Sequence, residues 1–143
     1  MSAYGRDEGE WDQLAESGRT FLVERARLRK ATTYTELNSV LVKRTGHRAF
    51  DFERAHERAA MGHLLGLIVL RHHERDPATS RLMLSALVHY LGANDAGSGF
   101  YELAKQLGLL PKKASKAEKE EFWIFQVNAL YDHYDPPRAQ DES

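Results

Sequence analysis

The chain contains no cysteine, which excludes disulfides, thiolate metal sites, cysteine nucleophiles and alkyl-accepting thiols by composition alone. Proline is scarce, with four residues in 143, so helices meet few interruptions. Long apolar runs are also missing. The longest, Leu64 to Leu70 with Gly66 inside it, is far short of the roughly 20 residues that span a bilayer. The glycines fall in no phosphate-loop or dinucleotide-binding spacing, and Ser85 and Ser98 lack the flanking glycines of a nucleophile elbow. His63, His72, His73 and His89 stand in no HExxH or similar ligand spacing. His56 with Glu53, and His47 with Asp51, could be drawn as proton-transfer pairs, but on a polar helix start they read as solvated charges. No catalytic residue, metal or cofactor is therefore expected. The first ten residues are acidic and carry neither the basic start nor the apolar run of a secretory signal, so the expectation is a soluble, cytoplasmic protein.

What is present suits one globular domain: 42% hydrophobic and 29% charged residues over a length that can bury one sizeable core. The expected layout is a flexible acidic tail over 1–10, a domain over 11–135 and a disordered tail over 136–143. Charge is uneven along it. Residues 1–17 carry one arginine against five acids, a balance of −4, whereas residues 18–60 carry ten lysines and arginines against five acids, a balance of +5. A local basic region can attract phosphate even in a chain whose net charge is −1. It is also what an ordinary solvated helix face looks like.

Apolar residues at helical spacing predict a first helix from about Trp11 to Lys30, interrupted at Gly18. Thr33 stands three residues before Glu36, a capping box that starts a second helix at Tyr34 and ends it near Gly46. A third helix is expected over Phe52–His73, stopped before Pro77. Leu82 to Leu91 alternates weakly and predicts a strand, with the extended piece at Thr32 and Thr33 or the loop after Leu91 as its partner. Gly92 to Gly99 reads as an exposed loop. A short helix over Gly99–Leu107 and a last one after the Ser115/Glu118 capping box complete the chain. The last helix holds Phe122, Trp123, Phe125, Tyr131 and Tyr134, more aromatics than one buried stripe needs. The fold class is α+β and mainly helical, with a small β-sheet and flanking N- and C-terminal helices.

The order Thr32-Thr-Tyr-Thr-Glu-Leu, a helix through Met61-Gly-His-Leu-Leu, Leu84-Ser-Ala-Leu-Val-His and a glycine-rich loop ending Gly99-Phe100 resembles a pattern found in uncharacterised bacterial proteins. It is also similar, over about residues 32 to 108, to the winged-helix part of alkylguanine-DNA alkyltransferase-like proteins. The likeness is of layout. Where that family carries a reactive Pro-Cys-His-Arg, this chain reads Ser85-Ala-Leu-Val-His89, so alkyl transfer is excluded and only non-covalent DNA binding carries over. The resemblance implies a winged-helix-like core, with the helix through Arg54 and Arg58 in the recognition position and Gly92–Gly99 as the wing.

Two functions are expected from these features. The first is non-catalytic binding of nucleic acid, DNA above all, through Arg25, Arg29, Lys43, Arg44, Arg48, Arg54 and Arg58. The second is docking onto a protein partner, or a second copy of the chain, through Asn94, Trp123 and Tyr131 on the loop and the aromatic last helix. No membrane partner is expected.

Overall fold

Asp7 opens the first helix, its carboxylate accepting the amide of Glu10 at 2.8 Å. Helix α1 (Glu8–Arg27) thus begins three residues before the apolar periodicity does, because an aspartate cap satisfies orphan amides that hydrophobic spacing does not register. The computed structural model describes residues 3–90 and 97–136. After α1 come β1 (Thr32–Thr33), α2 (Tyr34–Thr45), α3 (Ala55–Arg75), β2 (Val88–His89), α4 (Ser98–Gln106) and α5 (Lys116–Tyr134), with 3-10 turns at Pro77–Thr79 and Leu84–Leu87. The mainly helical α+β fold read from the sequence is present, and no helix among the described residues is long and apolar enough to cross a membrane.

Residues 3–10 are not a loose tail. Arg6 is 1% exposed: it donates to Glu10 at 2.5 Å and to the carbonyls of Arg48 and Ala49, and its guanidinium lies 4.1 Å from the Phe50 ring centroid. The indole N–H of Trp11 donates to the Ala3 carbonyl. An arginine buried with a carboxylate and an aromatic face anchors a segment that composition alone presents as solvated.

Gly18 does not interrupt α1 either. It lies buried against α3, where an added Cβ would stand 2.6 Å from Ile68 Cδ1. The missing side chain lets two core helices approach closely. Their interface, with Leu14, Leu22, Met61, Leu64 and Ile68 all fully buried, forms the centre of the core.

Thr33 caps α2 by accepting the Glu36 amide at 3.1 Å. The return arm of the expected capping box is diverted: the Glu36 carboxylate accepts from the Thr32 hydroxyl instead. The helix ends at Gly46, in the left-handed region at φ 77°. Ser115 and Glu118 make both arms of their box at the start of α5.

The stretch expected as a strand over Leu82–Leu91 holds a buried 3-10 turn at Leu84–Leu87, and among its described residues only Val88–His89 form a strand. They pair in parallel with β1, Thr32 opposite Val88 and Thr33 opposite His89, which makes Thr32–Thr33 the partner. The physical reason for the turn lies in α5. Buried Gln126 accepts the Met83 amide at 2.8 Å and donates to the Arg81 carbonyl at 2.9 Å, and Trp123 donates to the Ala86 carbonyl at 2.8 Å. Side chains on a distant helix satisfy backbone groups that a sheet ladder otherwise would.

Where α1, α3 and α5 meet, Arg19 faces one ring nitrogen of buried His72 at 3.4 Å, the other ring nitrogen bonds the Tyr134 hydroxyl, and that hydroxyl donates to Asp76 at 3.2 Å. Burial, and then the Arg19 cation, push the His72 pKa down to about 4.

Candidate functional site

Most of the expected basic footprint is already engaged within the fold. Arg44 makes a two-pronged ion pair with Glu24 at 2.9 and 3.0 Å, and that guanidinium holds the Glu24 carboxyl below its usual range. Arg48 pairs with buried Glu57 at 2.9 Å. Arg25 donates to the Ala31 carbonyl at 2.8 Å and faces Glu36. Arg29 clamps α5 through Asp132 and Asp135 and holds a left-handed backbone (φ 54°) as α1 ends. Cations so committed hold the fold's own carboxylates, and a bound phosphate would have to compete with them.

Three members remain available. Lys43 and Arg54 are exposed and have no polar partner among the described residues, and Arg58 commits one hydrogen bond, to the Phe52 carbonyl at 2.7 Å. Arg54 and Arg58 stand together at the start of α3, Arg54 as its N-cap residue. Lys43 lies apart from them, in the last turn of α2.

The residues expected to dock a protein divide differently. Trp123 is half-buried, its indole N–H turned inward to Ala86. Tyr131 is half-buried, and burial raises the pKa of its hydroxyl. The apolar side chains that α5 leaves outward are Phe125, 63% exposed, and its neighbour Ile124. Asn94 lies outside the described residues, as do residues 92–96 of the expected wing. Gly97 to Gly99 instead provide the N-cap and first turn of α4.

The His47/Asp51 and His56/Glu53 pairs do not form. His47 bonds Gln13 at 2.6 Å, His56 packs against the Tyr4 ring, and Asp51 accepts the Glu53 amide.

Arg58 borders a groove of about 910 Å³ between α3, the start of α2 and α4. The β1–β2 register builds one wall. With Thr33 opposite His89, the next residues, Tyr34 and Tyr90, come side by side with ring centroids 4.8 Å apart and a 34° tilt. Phe52 meets Tyr34 edge-on at 6.3 Å, and Phe100 closes the α4 side. Gly97 allows this closure, since a Cβ there would lie 2.8 Å from the Tyr34 hydroxyl. Burial, and then neighbouring Tyr90, push the Tyr34 pKa up to about 12, so Tyr34 stays neutral. Met61, Leu65 and Leu67 of α3 add apolar surface.

Among the described residues, the polar side chains of the lining, besides the tyrosine hydroxyls, are Thr35, Arg58, His63, Ser85, Ser98, Glu102 and Gln106. Arg58 is at one end, and the α4 N-terminus, which no side chain caps, carries the partial positive charge of a helix start. Ser85 lines the groove as well; it is 3% exposed, and its hydroxyl has no hydrogen-bond partner among the described residues. An aromatic wall beside the Arg58 cation and a helix N-terminus suits a flat ring carrying an anionic substituent, held on the side away from Glu102, the one lining acid among the described residues. Tyr34, Phe52, Tyr90 and Phe100 are not a site in the sequence, because Tyr34 and Tyr90 meet only through a two-residue parallel pairing across 56 positions, and Phe52 and Phe100 come from the approach to α3 and from α4. The local signal was only that each is an aromatic beside a turn or cap.

Comparison with protein-family models, with curated protein sequences and with solved structures gave no match.

Proposed function

We propose that this chain is a non-catalytic nucleic-acid-binding module, acting in the cytoplasm and on DNA above all, that seats one unpaired or extruded nucleotide in the groove. Arg54 and Arg58 hold the flanking phosphates. The observation that carries the reading is the meeting of Arg58, with exposed Arg54 one helical turn before it, with a groove walled by Tyr34, Tyr90, Phe52 and Phe100. Nucleobases stack on aromatic faces whatever their sequence, and guanidinium groups at the rim supply the phosphate contacts that position the strand. The winged-helix resemblance agrees in placing the start of α3 against the nucleic acid. With no cysteine in the chain, the binding is non-covalent.

The test is fluorescence anisotropy with labelled single strands, fully paired duplex and duplex bearing one unpaired base, at low and physiological salt. Strands that present an unpaired base should bind more tightly than the paired duplex. Arg54→Ala with Arg58→Ala should weaken binding about tenfold or more, as expected for two charge-assisted contacts. Absence of binding at low salt rejects the reading.

One observation favours a second function, protein docking: Phe125 and Ile124 are exposed side by side on α5, and adjacent outward apolar residues mark contact surfaces. A shift to a larger species in analytical ultracentrifugation, lost on Phe125→Asp, would support it.

A further inference from the structure

Ser85 is a polar group that the fold itself leaves unused. It sits in the 3-10 turn Leu84–Leu87, 3% exposed, between fully buried Leu84 and Ala86. Its backbone carbonyl accepts the Val88 amide, while its hydroxyl has no partner among the described residues. Its neighbours in the turn are all apolar, and a buried hydroxyl without a partner is costlier than an alanine in the same place. Each such group in a native fold calls for an explanation. Arg6 Nε, Ser17 Oγ and Glu57 Oε2 share this condition. Ser85 is set apart because it also lines the groove between the Tyr34/Tyr90 wall and the uncapped start of α4.

We propose that Ser85 is the specificity-determining residue of the groove, its hydroxyl exchanging a hydrogen bond with a polar atom on the edge of the base seated there. The inference rests on the nucleotide reading above and assigns its selectivity to one side chain. Aromatic walls hold any base, because every base has a π-face. Discrimination needs a fixed polar group that is left unpaired by the wrong base. Among the described residues, Ser85 is the buried side chain of the groove with an unpaired hydrogen-bonding group, and its place in a short turn held by the β1–β2 pairing and by α5 fixes where that group stands.

The probe is a labelled 12-unit strand of abasic sugar-phosphates carrying a single central adenine, guanine, cytosine or thymine, with an all-abasic strand as control. The wild-type chain should prefer one or two bases over the others and over the control. Ser85→Ala should bind the preferred strand about tenfold more weakly, level the four bases, and leave the control unchanged. Its melting temperature should be equal or higher, because the substitution removes an unpartnered hydroxyl. A fall in melting temperature with binding preferences intact would assign Ser85 to the fold and overturn the inference, as would wild-type discrimination that survives Ser85→Ala. Salt-sensitive binding of every strand with no preference among bases also overturns it while leaving the nucleic-acid reading standing. Failure of all strands to bind at low salt rejects that reading itself.

Discussion

His72 illustrates how a single side chain can tie stability to pH. Arg19 of α1 points a cation at its Nδ1, which must therefore carry a lone pair, so the proton sits on Nε2 and is given to the Tyr134 hydroxyl, which in turn donates to Asp76. His73 and His133 are also near enough to oppose a charge on the ring, and Asp76 alone favours one. The folded pKa, about 4, lies below the ordinary 6.5. Between these values the unfolded chain takes up a proton that the native chain refuses. The stability contributed by neutral His72 is thus fully present above pH 6.5 and is lost as pH falls toward 4, by an amount on the order of 3 kcal/mol. Urea unfolding at neutral pH and near pH 4.5 should show this loss. In His72→Gln, which cannot titrate, the pH dependence over that interval should be much shallower. Parallel losses in the two proteins would place the proton uptake elsewhere.

Helix α5 shows why some elements were legible in the sequence and one was not. Its start is written locally in Ser115 and Glu118, as the start of α2 is in Thr33, and caps of this kind are read correctly because all their atoms lie within four residues. The Leu82–Leu91 stretch carries its structural instruction elsewhere. Gln126 and Trp123, about 40 positions away, provide the hydrogen bonds that let it turn. Weak alternation in the stretch itself could only suggest a strand. The same nonlocality applies to Gly18, whose meaning comes from Ile68 rather than from its helix. Gln126→Leu keeps most of the side-chain volume while leaving the Met83 amide and the Arg81 carbonyl without their partner. It should destabilise the fold by about 2–4 kcal/mol, since buried backbone groups left unpaired forfeit their desolvation cost. Equilibrium denaturation measures it, and a loss below about 0.5 kcal/mol, the size of an ordinary surface change, would show that water replaces the amide there.

At the scale of the whole molecule, the basic segment over residues 18–60 was legible as charge but not as available charge. Glu24, Glu36, Glu57, Asp132 and Asp135 stand against Arg44, Arg25, Arg48 and Arg29, three of those acids within the segment and two from α5 and its C-cap. Linear counting cannot tell a free arginine from one that clamps two helices, because pairing depends on which faces the packing brings together. The difference is measurable through counterion release. If all seven basic residues met phosphates, log K for a single strand would fall with log salt at a slope near −5, at about −0.7 per phosphate. With Arg54 and Arg58 as the contacts the slope should be about −1.4, and Arg54→Ala alone should reduce it by about half. Arg44→Ala should leave the slope unchanged while loosening the contact between α1 and α2, because its partner is Glu24. A wild-type slope near −5 that drops in Arg44→Ala would mean the ion pairs open on binding, and the basic stretch would then act as one continuous surface.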